Sequence, residues 1–167
     1  MEKMRGFTLV ELLVTLAVAA ILLTVAVPSF RDFVKTNRLR SVANDFITAV
    51  NMARNAAISR GQNATLCASS NQSTCNSTDW ADGWLVWVDA NGNGTLDSEE
   101  QVVTQSSLGN GITLASTGGA TSYVFLPDGS TSAADTLTLC DDRTGETGRA
   151  ISISVTGHPS VADHTCS

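Results

Sequence analysis

At 167 residues, the chain has room for one modest domain beside its N-terminal segment. Aromatics are only 5% and charged residues 16%, and Ser, Thr, Asn and Gly crowd the sequence after residue 61, a turn-rich and β-rich composition with a modest core. The net charge of −6 hides an asymmetry: residues 31–60 hold six basic against two acidic residues (net +4), residues 61–167 two basic against twelve acidic (net −10), which argues against nucleic acid as a partner.

Residues 7–30 are apolar except for Glu11, a few Thr and Ser, and Pro28. About 20 such residues span a bilayer core. Lys3 and Arg5 in "MEKMRG" would stay on the cytoplasmic side. A cleaved secretory signal would need a small-residue site after the apolar run, and "AVPSF" is a poor one. The run also continues unbroken into an amphipathic pattern, so the reading is a retained membrane helix. Glu11 stands against it, because a carboxylate at a helix centre in lipid costs about 2.5–3.5 kcal/mol on insertion scales.

The stretch "RGFTLVELLVTLAVAAILLTVAVPSF", with its short basic leader, Gly6, Phe7, Glu11 and Pro28, resembles the leader and N-terminal helix of type IV pilins and type II secretion pseudopilins. The resemblance implies cleavage between Gly6 and Phe7 by a prepilin peptidase and N-methylation of Phe7. It makes residues 1–6 a cleaved leader and 7–30 a transmembrane helix. Cutting before Phe7 creates a cationic amine, and Glu11 lies one helical turn on, near a helix N-terminus whose dipole favours negative charge. The resemblance implies that Glu11 serves assembly by meeting the Phe7 amine of a neighbouring subunit.

From residue 31 the pattern becomes one-sided. Val42, Phe46, Val50, Ala53 and Ala57 recur at steps of three and four, a helical stripe suited to packing. No breaker follows until Gly61, which suits a cap after Arg60. A mature helix from Phe7 to Arg60 would be about 80 Å long, kinked at Pro28. Residues 31–60 are thus the amphipathic continuation of the membrane helix. The charge split suits either two solvated surfaces or a basic stalk complementary to the acidic head of another subunit.

Residues 61–167 read as an antiparallel β head. "NATLCAS", "GWLVWVD", "QVVTQ", "GITLAS", "SYVFLPDG", "TLTLCDD" and "RAISISVTG" are short strands separated by turns such as "LPDGS" and "DRTGETG". The fold class is therefore α+β, one long helix packed on a disulfide-stapled antiparallel head. The strand pattern and the ending "RAISISVTGHPSVADHTCS" resemble the GspH/FimT-type minor pilins.

Cys67, Cys75, Cys140 and Cys166 are an even set behind a membrane-inserting N-terminus, so two disulfides in an oxidising compartment are expected. Three connectivities stay open, and pairing of sequence neighbours, Cys67 with Cys75 and Cys140 with Cys166, is favoured. A zinc site at Cys140, Cys166 and His164 lacks a recognised ligand spacing.

"DANGNGTLDSEE" fits the EF-hand loop pattern, with Asp89, Asn91, Asn93, Thr95, Asp97 and Glu100 as the calcium candidates. Its flanks are strand-like rather than helical, so a polar hairpin turn built on Asn-Gly pairs is the competing reading. Cofactors are thus expected to be none, with calcium as the open alternative. Trp84 and Trp87 alternate to opposite faces, one for the core and the other a candidate assembly contact. His158 and His164 read as solvated residues of a turn and a tail.

The functional reading is a structural subunit that primes or caps a type IV pilus or type II secretion pseudopilus. Its implied place is the bacterial inner membrane, single-pass, with the head in the periplasm. Its implied partners are the major subunit, other minor pilins or pseudopilins and the prepilin peptidase. A second reading, a FimT-like DNA-binding minor pilin, would need a G-R-x-R arginine pair. The matching place is Gly157-His158-Pro159-Ser160, without either arginine. No nucleophile elbow, phosphate loop, zinc-protease motif or acid–base carboxylate pair is present, so an enzyme is not expected.

Overall fold

The computed structural model describes residues 8–97, 99–109, 111–132 and 134–167. The leader, Gly6 and Phe7 lie outside the described residues. The chain divides into two units, at Asn37 and Arg38. One helix, α1 (Leu9–Arg60), makes up the described part of the first unit and opens the second.

In the first unit the apolar side chains of α1 are exposed, among them Leu9, Leu13, Leu16, Ile21, Leu23 and Phe30. Two of its threonines bond back within the helix: Thr15 Oγ1 donates to the Leu12 carbonyl at 2.9 Å and Thr24 Oγ1 to the Ile21 carbonyl at 2.7 Å. That back-bonding lets threonine sit in an apolar stretch without an unpaired donor. Helix continues on both sides of Pro28, which has no N–H to give to the ladder.

In the second unit the expected stripe is buried. Val42, Phe46, Val50, Ala53 and Ala57 are joined by Leu39, Ala43 and Ala49. The helix stops at Gly61, whose φ of +63° is open to glycine at little cost. The Gln62 N–H then donates back to the Ala57 carbonyl at 3.3 Å, closing a Schellman cap.

Among the described residues eight strands follow: β1 (Ala64–Ala68), β2 (Trp84–Val88), β3 (Gln101–Gln105), β4 (Thr113–Ser116), β5 (Ser122–Phe125), β6 (Asp135–Cys140), β7 (Gly145–Ile153) and β8 (Pro159–Cys166). They form two antiparallel four-stranded sheets, ordered β3-β2-β1-β5 and β4-β6-β7-β8. The antiparallel head divides into two sheets, because β4 pairs with β6 rather than with β3. One feature differs from the sequence expectation. The segment read as a tail is strand β8, an edge strand paired with β7, so His164 belongs to a sheet. "PSVADHTC" lacks apolar alternation because most of its side chains are exposed, which hid it.

The core lies between the α1 stripe and both sheets. Phe46 is edge-on to Trp80 (5.4 Å between ring centres) and Trp84 (5.1 Å), and Trp80 stacks on Tyr123 at 5.4 Å. Edge-to-face and offset pairs are the arrangements ring quadrupoles favour. Two disulfides, Cys67–Cys75 and Cys140–Cys166, staple the head. Gly148 is required beside the second, since a Cβ there would run into Cys166 Sγ and the Leu139 carbonyl.

Candidate functional site

The first candidate site is the opening turn of α1. Thr8 precedes the helix, and its Oγ1 accepts the Glu11 N–H at 3.3 Å, while the Leu12 N–H donates to the Thr8 carbonyl at 3.2 Å. Thr8 is therefore the N-cap and Glu11 the third helical residue, the T-x-x-E spacing of a capping box. The sequence reading missed Thr8; the spacing was there to find it. The cap fixes where the helix begins, so Glu11 sits in the first turn, exposed, among exposed leucines and valines. Leu9–Arg60 is also a helix long and apolar enough to cross a membrane.

The second candidate is the β2–β3 loop carrying the calcium set. Its oxygens are engaged mainly with the loop's own N–H groups. Glu100 is 3% exposed. Its Oε1 accepts the Ala90 N–H at 2.8 Å and the Asn91 N–H at 3.3 Å, and its Oε2 accepts the Asp97 N–H at 3.0 Å. Asp97 Oδ2 accepts from the side-chain amides of Asn91 (2.7 Å) and Asn93 (3.1 Å). Asp89 Oδ2 accepts the Gly94 N–H at 3.0 Å, and Thr95 donates its N–H and hydroxyl to Asn93 Oδ1, both at 2.7 Å. Asp89 Oδ1 is buried with no partner among the described residues. Among those residues no three His, Cys, Asp or Glu side chains come together as a metal would need. The loop thus closes as a hydrogen-bonded hairpin connection, with Gly92 and Gly94 at φ of +72°.

A polar network joins the two sheets and was not foreseen. Asp135, at the start of β6, accepts from Tyr123 Oη and Ser116 Oγ at 2.5 Å each, from Thr117 Oγ1 and the Gly118 N–H at 3.2 Å, and from the Thr136 N–H at 2.7 Å. Burial by itself would raise the Asp135 carboxyl. The hydroxyls of Ser116 and Tyr123 and the two N–H groups outweigh it and hold the group below the usual carboxylate range. Burial first, and the bond to Asp135 second, push the Tyr123 phenol above its ordinary range. The partners lie 12 and 19 residues away in sequence, so no local pattern announces them.

The tryptophans separate as their alternation requires. Trp84 is in the main core, but Trp87 is only 8% exposed and packs in a second cluster on the other face of the sheet. Trp87 is thus covered rather than presented as an assembly contact. At Gly157-His158-Pro159-Ser160 the chain turns into β8; Arg54 of α1 donates to the Thr156 carbonyl at 3.4 Å, and Arg149 of β7 is bonded to Asp163.

A model of the family described as type II transport protein GspH matches residues 42–157, and a model of the prokaryotic N-terminal methylation motif matches residues 1–27. The chain belongs to the GspH family. None of the curated proteins compared matches it. Among solved structures, the type IV minor pilin FimU of Pseudomonas aeruginosa is similar at 20% identity, covering 78% of this chain and 92% of that one, with a TM-score of 0.64. The minor pseudopilin EpsH from the type II secretion system of Vibrio cholerae is similar at 14% identity, covering 75% and 97%, with a TM-score of 0.57. These likenesses establish a pilin-like fold for this GspH-family chain, and the family makes it a subunit of the minor pilin and pseudopilin type.

Proposed function

We propose that this GspH-family chain is a structural, non-catalytic subunit that primes or caps a pilus or pseudopilus from the bacterial inner membrane. Residues 1–6 serve as a leader removed between Gly6 and Phe7, and Phe7 becomes the methylated N-terminus. Residues 7–30 anchor the subunit, 31–60 carry the helix onward, and the head, 61–167, stands in the periplasm. Partners are other minor subunits, the major subunit and the peptidase. The reading needs no cofactor.

One observation carries the proposal: the apolar stretch of α1, up to residue 30, keeps a single carboxylate, Glu11, in its capped first turn. Its insertion penalty is tolerable only if the charge has a use. A neighbour's Phe7 amine, freed by cleavage, is a cation at the matching depth. The intact mass of the membrane-extracted protein tests the processing step. The expected mass is that of residues 7–167 plus one CH2, for a methyl in place of an amine hydrogen, less the hydrogens of two disulfides; a start after Ala26 or later would remove the anchor and refute the proposal.

A further inference from the structure

On β1 and β2 the apolar side chains divide between two clusters. Leu66, Trp84 and Val86 belong to the main core, whereas Cys67, Leu85 and Trp87 form a separate cluster with Leu96. An outer sheet face stays dry only under a cover, and here Cys67 and Leu85 are fully buried. Two loops supply it. The β2–β3 loop contributes Leu96. Residues 69–79, between β1 and the 3-10 turn Trp80–Asp82, carry Cys75, which is bonded to Cys67 of the cluster. Ser73 of that segment meets Leu96, Asp97 and Gln101 around a cleft of about 210 Å³. The Gln101 side chain donates to the Gln72 carbonyl.

At its ends the segment is held by the Ser69 N–H on the Gly83 carbonyl at 2.9 Å and the Ser77 N–H on the Ala68 carbonyl at 3.4 Å. Its side-chain bonds are mostly internal, among Ser69, Ser70, Asn71, Thr74 and Asn76. The Cys67–Cys75 disulfide is the covalent tie. Its two ends differ sharply in access: Cys67 is fully buried in the cluster, whereas Cys75 is exposed.

We propose that the Cys67–Cys75 disulfide latches a cover over the Leu85–Trp87 cluster, that thiols and disulfide oxidants reach it through Cys75, and that opening it uncovers the cluster while the main core stays folded. In the opening direction an external thiolate attacks Cys75 Sγ. A mixed disulfide forms, the Cys67–Cys75 bond breaks, and Cys67 leaves as a thiolate that takes a proton from water. A second external thiol attacks the mixed disulfide and releases the Cys75 thiol and an external disulfide, so two electrons pass from two thiols to the protein. Closing is the reverse, with a disulfide-carrying oxidant as the electron acceptor. Cys67 leaves into apolar surroundings that disfavour a thiolate, which keeps the latch shut until the cover lifts. The Cys140–Cys166 bond joins a half-buried to a buried cysteine, with Gly148 packed on its sulfurs, and offers less access.

The test uses the full-length protein in detergent, titrated with glutathione and read by differential alkylation with mass spectrometry and by tryptophan emission. Glutathione adducts are expected on Cys75 and not on Cys67, with Cys67–Cys75 opening before Cys140–Cys166. Opening should shift emission to the red and increase acrylamide quenching; Trp87→Phe should abolish both changes, and the near-ultraviolet signal of the main core should persist. Cys67→Ala/Cys75→Ala should reach the same open state without reductant. An adduct on Cys67, earlier opening of Cys140–Cys166, a Trp87 that stays shielded after opening, or a double variant whose main core unfolds would each overturn the proposal.

Discussion

Phe46→Ala should remove a large share of the stability of the unit formed by residues 38–167. Phe46 is fully buried, on the α1 stripe, and edge-on to both Trp80 and Trp84. A buried Phe→Ala change costs about 3–5 kcal/mol from lost transfer and the cavity left behind. Two aromatic contacts, each worth about 0.5–1.5 kcal/mol beyond area, place this site at the upper end, about 4–5 kcal/mol. Domains of this size hold roughly 5–15 kcal/mol in all. At about 3–5 °C per kcal/mol, the midpoint of thermal unfolding should fall by about 12–25 °C. The assay is urea and thermal unfolding of the 38–167 unit, followed by near-ultraviolet circular dichroism, which reports Trp80 and Trp84 directly. Phe46→Leu keeps the apolar volume and should lose clearly less. A loss under about 1 kcal/mol for Phe46→Ala, with an unchanged tryptophan signal, would refute the helix-to-sheet packing described above.

Further expectations follow from the polar groups. Because the Asp135 carboxyl titrates below its ordinary value in the folded head, its stabilising contribution is complete above the unfolded value of about 3.9 and is lost as pH falls through the lower folded value. Urea midpoints measured from pH 6 down to 2 should therefore drop in the acid range, and Asp135→Asn should be less stable at pH 6 with a flatter profile; an unchanged profile contradicts the network. For the β2–β3 loop, the head should melt at the same temperature in millimolar calcium as in chelator, since Glu100 and Asp97 already accept N–H donors. A rise with calcium, as for any ligand that binds only the folded state, would mean that the oxygen set, Asp89 Oδ1 included, closes on the ion.

Much of the helical half was legible because helix periodicity is local. Val42, Phe46, Val50, Ala53 and Ala57 declare a face at steps of three and four, and Gly61 declares the stop. Strands β1 to β7 were visible for the same reason, through alternation or continuous apolar runs. What stayed hidden depends on pairing. The division into two sheets is decided when β4 pairs with β6, across more than 20 residues. Strand β8 is held by its β7 neighbour rather than by its own composition. Alternation put Trp84 and Trp87 on opposite faces, but the sequence cannot show that the second face is also covered, with Leu96 packed against Trp87. The EF-hand spacing gave the loop its hydrogen-bonded turns, but between two strands, where the same residues close a hairpin.

The central claim, that Glu11 exists for assembly, is tested most directly by Glu11→Ala in the full-length chain, followed by fractionation of membranes, sheared filaments and co-purified subunits. The variant should insert and be processed as the wild type is, since the substitution removes a costly group from lipid. It should then accumulate in the inner membrane and be depleted from filaments and from the subunit complex. Incorporation at the wild-type level would contradict the account.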